Sequence, residues 1–434
     1  MGVDIIIGSL IIILSVLFAG CSFGGVVKNG SIDEISEAVR NGADVNGKND
    51  NGETPLVCAL KYNKRPYDAA ILLINAGAGV NGSDKDEKSA LHYAVRLKDN
   101  DEAYRLVSIL LDRGADVDAH GIFNLATPLM LATERSDGIE IVKLLLKSGA
   151  AVRSSDGSRG SVLHHAVQVR ENTEIIELLI KHGADVNAGT PSYTPLHQAA
   201  YLGSSENIRT LIRHKASINV RGNTSGDKTP LELAVDAKQF ESAGILVENG
   251  ADINTTSYYQ YKPFKYRNIK QSSMDKLVHV DLDKIQFERM TPLHRAVTHN
   301  EISFVEYLLK KGAKTDIDAH FGGYPLDFAL FLNYHDIAEL LIRYKAPALF
   351  ADSYLLDAID SSDAKKTKLL LGIGASVSKK DYNDDTPLHR AAKIGDISII
   401  KLLLEYGSDR SVKNRQGKRP VDCAAHDEAM KILQ

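Results

Sequence analysis

The chain has 434 residues, 44% of them hydrophobic and 25% charged, an ordinary balance for a soluble fold. Its 52 basic and 56 acidic residues leave a formal net charge of −4. That excludes a domain-wide basic footprint for nucleic acid, and no polybasic run suits an anionic membrane surface.

The first element is an uncharged leader. Residues 5–19 are apolar apart from Gly8, Ser9 and Ser15, and they lead into Phe18-Ala19-Gly20-Cys21. An apolar run closing on small residues has the form of a secretory signal. With a cysteine at that place, it resembles a bacterial lipoprotein signal. The resemblance implies a signal peptide over residues 1–20, cleavage before Cys21, and lipid on Cys21. It also implies a location in the bacterial cell envelope, outside the cytoplasm. Residues 21–30, with Gly24, Gly25 and Gly30, are expected to form a short lipidated tether. Two features depart from that family: Met1-Gly2-Val3-Asp4 lacks Lys and Arg, and Phe18 stands where leucine is usual. The alternative is an uncleaved span of about 20 residues, with Lys28 then favouring a cytoplasmic body.

From residue 31 onward the chain repeats itself. Thr-Pro-Leu-His is complete at Thr194, Thr291 and Thr386, and variants begin at Thr54, Ser89, Thr127, Ser161, Thr229, Tyr324, Ser353 and Arg419. Most steps lie near 33 residues, a period that signals a repeat architecture. The hydroxyl residue caps a helix, proline fits its first position, and leucine faces the core. In the unit from Thr386, Gly395 ends the first helix. Asp396 caps a second helix, whose stripe is Ile397, Ile400, Leu403 and Leu404. Second helices end in Gly-Ala-Asp, as at Gly42, Gly114, Gly183 and Gly250, and a polar finger leads into the next tetrad.

These residues at this period closely resemble the ankyrin repeat. The resemblance covers residues 31–434 and implies an all-α solenoid of helix-turn-helix units with β-hairpin fingers. About twelve units are expected, the first lacking its tetrad. Around Ser353 the pattern is degenerate: Lys345-Ala346-Pro347 replaces Gly-Ala and the finger nearly vanishes.

One step, from Thr229 to Thr291, is 62 residues long. It holds an inserted finger at about residues 255–288, rich in Tyr258, Tyr259, Tyr261, Phe264, Tyr266 and Arg267. Insertions in repeat arrays fall on one face, often the binding face, and Tyr and Arg are favoured interface residues. A diverged repeat, or a finger packed flat on the stack, are the structural alternatives.

The recurring histidines carry no catalytic signature. His92, His164, His197, His294 and His389 hold the fourth tetrad place, where the ankyrin resemblance implies hydrogen bonding across the finger region. Adjacent His164 and His165 point apart on a helix and make a poor chelate. Residues 222–229 mimic a phosphate loop, but Asp227 stands where glycine is needed. Cys58 and Cys423 lie too far apart along the stack to bridge. No catalytic, cofactor or metal site is therefore expected.

The reading is a non-enzymatic, monomeric scaffold that binds protein through a concave face. Candidate contacts are Tyr193, Tyr382 and the inserted aromatics on fingers. On first helices they are Gln198, Tyr201, Arg295, His299, Arg390 and Lys393. An inhibitor or regulatory subunit of an envelope enzyme is the alternative with the same fold.

Overall fold

The computed structural model describes residues 23–121, 126–157, 160–189, 193–222, 227–259, 287–319 and 323–434. Among these, helices follow in twelve pairs, the last opening with a short 3-10 turn at Pro420–Cys423. The chain divides into two units, residues 1–218 and 219–434.

In the first unit the opening helices of the pairs are Phe23–Asn29, Pro55–Tyr62, Ala90–Val95, Pro128–Thr133, Val162–Ala166 and Pro195–Leu202. Each packs on the opening helix of its neighbour, and second helices pack on second helices. The tetrad leucines Leu56, Leu91, Leu129, Leu163 and Leu196 are buried, each worth about 1.5–3 kcal/mol of apolar transfer. Thr54 Oγ1 accepts from Val57 N at 3.5 Å and Thr127 Oγ1 from Met130 N at 3.3 Å, satisfying orphan donors of the first turn.

The second unit runs from Pro230–Asp236 to Asp427–Leu433 and stacks in the same way. Gly395 closes the helix Pro387–Ile394 at φ +83°, a left-handed conformation that suits glycine.

A ladder of side-chain amides and carboxylates ties successive pairs. Asn46 Oδ1 accepts from Gly79 N at 2.7 Å, Asn81 Oδ1 from Asp116 N at 2.8 Å, and Asp118 Oδ1 from Ala151 N at 2.8 Å. In the second unit Asn254 Oδ1 accepts from Lys314 N at 2.9 Å, across 60 positions of sequence. The helix Pro230–Asp236 packs directly on Pro292–Thr298. The pairs on either side of the long step are therefore neighbours in the stack. At its base, strand Ser257–Tyr259 runs antiparallel to Phe287–Met290, with Ser257 opposite Met290 and Tyr259 opposite Phe287. Asn254→Ala is expected to cost about 0.5–1.5 kcal/mol, read by urea unfolding. A change below the error of that measurement would show that the rung adds nothing.

Two stretches depart from the sequence expectation. Residues 21–30 were expected as a tether, yet Phe23–Asn29 is a helix and opens the first pair. Its Val27 is fully buried. Asn63 Nδ2 donates to the carbonyls of Val27 at 2.6 Å and Gly30 at 3.2 Å. The unit expected to open at Ser353 opens instead at Ala351, with no finger before it. There the buried Asp327 carboxylate accepts from the backbone N–H groups of Tyr324 at 2.9 Å, Leu349 at 2.9 Å and Phe350 at 3.0 Å. One carboxylate thus ties the opening helix of one pair to the start of the next pair's opening helix. Burial pushes its carboxyl above the usual range, against the three backbone donors.

Candidate protein-interaction surface

The surface is built from fingers and the opening helices behind them. Each tetrad histidine clamps its own cap. In the fifth pair, Ser161 N donates to His164 Nδ1 at 3.1 Å, and the Ser161 hydroxyl lies 2.9 Å from the same nitrogen. A nitrogen that accepts from an amide carries no proton, so the proton sits on Nε2. That Nε2 donates to the Tyr193 carbonyl at 2.9 Å, just before the next tetrad. His294 and His389 repeat the reach, to Gly323 O at 3.3 Å and Lys418 O at 3.0 Å. Burial holds the imidazoles neutral: it pushes His92 down to about 4, His294 to about 3, and His164 below the usual value. The hydrogen bonding implied for this place in the repeat is thus present at His164, His294 and His389.

A second device holds the fingers. Asp84 Oδ1 accepts from Asp86 N and Lys88 N, both at 2.9 Å, and closes the finger on itself. Its Oδ2 accepts from Tyr93 Oη at 2.5 Å and from Lys61 Nζ at 3.2 Å. Asp381 works alike: Oδ1 takes Asn383 N at 2.8 Å and Asp385 N at 3.0 Å, while Oδ2 takes Arg390 Nη2 at 2.9 Å. Asp156 closes its finger onto Gly160 N at 2.7 Å and meets His165 Nε2 at 3.1 Å. The residue just after the tetrad also reaches back to the preceding helix. His165 Nδ1 meets Glu134 at 2.8 Å, and Arg390 Nη1 meets Asp360 at 2.6 Å. His164 and His165 therefore face different partners. Much of the polar surface is already fixed by its own neighbours, a form of pre-organisation that lowers the ordering cost of binding.

The expected contact residues separate accordingly. Tyr201 and Tyr382 are 57% and 62% exposed. Gln198 is half-buried beside Tyr201 on the same helix. Tyr193 is half-buried, its ring 5.3 Å from the imidazole of His197. Arg390 and Lys393 are held by Asp381 and Asp385, on the finger that carries Tyr382. These three therefore share one finger and the helix behind it.

Arg295 is a correction: it is fully buried and not a surface contact. Its Nη1 lies 2.7 and 2.6 Å from the two Asp236 oxygens, and its Nη2 lies 2.8 Å from Ser257 Oγ and 3.8 Å from Glu232 Oε1. Strand Ser257–Tyr259 supplies one of these partners, Ser257. His299 is half-buried, its ring 6.4 Å from that of Phe240. Burial lowers its imidazole below the usual value.

Tyr258 and Tyr259 lie in the basal strand, with side chains outside the described residues. Tyr261, Phe264, Tyr266, Arg267 and Cys21 also lie outside them. Sequence reading missed Leu349 and Phe350, which are 57% and 37% exposed where the finger is lost. The vanished finger was the signal that could have found them. Burial pushes the Cys58 thiol up to about 12, so it remains protonated and unreactive. Among the described residues, no helix is long and apolar enough to cross a membrane.

The profile of ankyrin repeats matches residues 24–121, 103–190, 163–257, 267–349 and 355–434. The chain is 25% identical to the human transient receptor potential cation channel subfamily A member 1, over 88% of this chain and 36% of that one. It is 32% identical to a putative ankyrin repeat protein of fowlpox virus, over 33% of this chain and 43% of the viral one. It is 28% identical to human inversin, over 51% of this chain and 22% of inversin. The chain thus spans less than half the length of each of these relatives. With the matches covering most of its length, the chain belongs to the ankyrin-repeat family.

Proposed function

We propose that this chain is a non-catalytic, monomeric protein-interaction scaffold, held at a membrane by lipid on Cys21. It binds a protein partner through its fingers and opening helices. One observation carries the reading: Tyr201 and Tyr382 remain more than half exposed, and the finger that carries Tyr382 is locked by the carboxylate of Asp381. Tyr is a favoured anchor because it brings large area at low rotamer cost. The double variant Tyr201→Ala with Tyr382→Ala is expected to lose at least about tenfold in partner affinity, since each anchor carries about 1–2 kcal/mol. Quantitative affinity capture checks it, with Tyr104→Ala on a second helix as the control. Equal capture by both variants would sink the tyrosine assignment.

The anchor rests on the sequence of residues 1–21 and places the scaffold in a bacterial envelope. Since the first helix starts at Phe23, a lipid on Cys21 would hold the repeats against the bilayer with almost no tether. Cys21→Ala is expected to abolish lipid labelling and leave a larger, unprocessed chain on a gel. Identical migration without label in either form would rule the lipid anchor out. A membrane-integral, full-length chain would instead favour an uncleaved span.

A further inference from the structure

The second unit lacks a finger before the helix Ala351–Asp360, and helix pairs stand on both sides of that place. Pro325–Phe331 packs on Ala351–Asp360, which packs on Pro387–Ile394. Where the finger is lost, Leu349 and Phe350 are 57% and 37% exposed, with their N–H groups held by Asp327. The next finger is tied to the same helix: Asp352 Oδ1 accepts from Ser376 N at 2.7 Å, and Asp352 Oδ2 lies 3.3 Å from Lys379 Nζ. That finger runs on through Lys380 to Asp381 and Tyr382. On the other side stand Asp316 and Asp318, with Asp318 close enough for its charge to act on the Asp327 carboxyl. Asp316, Asp318 and Lys380 are exposed, and among the described residues they form no ion pair.

The last two fingers show how neighbours meet. Asn414 Oδ1 locks its finger onto Gln416 N and Lys418 N, as Asp381 locks the finger before. Arg415, the residue after Asn414, donates its N–H to the Asn383 carbonyl of that preceding finger at 3.0 Å. Tyr382 holds the matching place after Asp381, and the finger it would meet is the one that is lost. Among the described residues, Tyr382 N has no hydrogen-bond partner. An unpaired backbone donor beside exposed apolar side chains is the chemistry of an open strand edge.

We propose that an extended segment of a protein partner docks here in place of the missing finger. One of its carbonyls accepts from Tyr382 N, and its apolar side chains cover Leu349 and Phe350. A cation on the segment faces Asp316 and Asp318, and a carboxylate faces Lys380. The inference rests on the scaffold reading and narrows it to a place and a partner chemistry. Backbone bonding to an added strand supplies affinity and side chains supply specificity, while walls of opposite charge set the direction of the segment.

The test uses the full chain and a fluorescein-labelled peptide in which a lysine precedes, and a glutamate follows, two leucines alternating with threonines. Anisotropy should show saturable binding. Asp316→Lys with Asp318→Lys should weaken it at least about tenfold, and Leu349→Ser should do likewise; all three side chains are exposed, so the fold is retained. Tyr382→Ala and Tyr382→Pro both remove the ring, but only the second removes the N–H. Tyr382 is the second residue of a turn closed by Asp384 N on the Asp381 carbonyl at 3.0 Å, a place that proline fits. The proline variant should therefore bind about threefold or more weakly than the alanine variant. Equal binding by those two variants overturns the proposal, as does unchanged binding by Leu349→Ser. A dimer that Leu349→Ser dissolves would make a second copy the occupant and overturn it too. If the peptide fails while partner capture through Tyr201 and Tyr382 survives, this inference falls and the scaffold reading stands.

Discussion

Replacing Arg295 by alanine is expected to cost the second unit about 3–5 kcal/mol, the usual penalty for breaking a buried ion pair from one side. The side chain is fully buried and meets both oxygens of Asp236 at 2.6 and 2.7 Å. Its removal leaves Glu232, also fully buried, without the cation 3.8 Å away. Lys228, 2.8 Å from Asp236, can compensate that carboxylate in part, so the lower end of the range is the firmer figure. A second effect is local. Arg295 Nη2 also holds Ser257 Oγ at 2.8 Å, so the strand pair at the base of the insertion should exchange its amide hydrogens faster. Urea unfolding measures the first effect and hydrogen exchange at residues 257–259 the second. A loss under about 1 kcal/mol would place this pair with surface bridges and return Arg295 to the list of possible contacts.

That pair also marks where sequence legibility ends. The repeats were readable because one tetrad carries cap, first-turn proline and core leucine together, so each unit repeats its own evidence. The opening helix Phe23–Asn29 was not readable. Its sequence, with Gly24 and Gly25, has poor intrinsic helicity, and the Asn63 side chain and the buried Val27 supply the missing support. Arg295 was misplaced for a related reason. A position after the tetrad histidine is open to solvent on an isolated helix, and Gln198, at the same place, remains half-buried. At Arg295 the carboxylates of Glu232 and Asp236 on the preceding opening helix and Ser257 of the strand, 38 positions earlier, hold the buried guanidinium.

The finger locks were legible only in hindsight. Asp84 and Tyr93, Asp156 and His165, and Asp381 and Arg390 each stand nine positions apart, a spacing that belongs to no helix or strand period. It is set by a tertiary turn, so pattern matching along one element passes over it. The consequence for function is a subtraction. Arg390 and Lys393 are committed internally, which moves the candidate contacts toward Tyr201 and Tyr382.

Acid should unfold this protein early, beginning near pH 6.5 and well before most carboxylates titrate. The sign follows from the histidine clamps. His92 and His294 titrate at about 4 and about 3 in the fold and His164 below its usual value, against about 6.5 in an unfolded chain. Above pH 6.5 both states are neutral and the clamps are fully effective. As pH falls below 6.5 the unfolded state takes protons that the folded state refuses, so stability drops by up to about 1.4 kcal/mol per pH unit for each such histidine. The drop continues until the folded values are reached, near pH 4 for His92 and pH 3 for His294. Asp327, whose carboxyl is raised by burial, acts in the opposite sense and offsets part of this drop. The urea midpoint should therefore slide steadily from pH 6.5 to 4.5. His294→Ala separates clamp from titration: at pH 7.5 it should cost about 1–3 kcal/mol, because the Thr291 amide and the Gly323 carbonyl lose their partner. Between pH 6.5 and 4.5 its slope should be shallower than that of the parent chain by about 1.4 kcal/mol per unit. A parallel slope would mean that His294 takes its proton without unfolding, and that the clamp opens on its own.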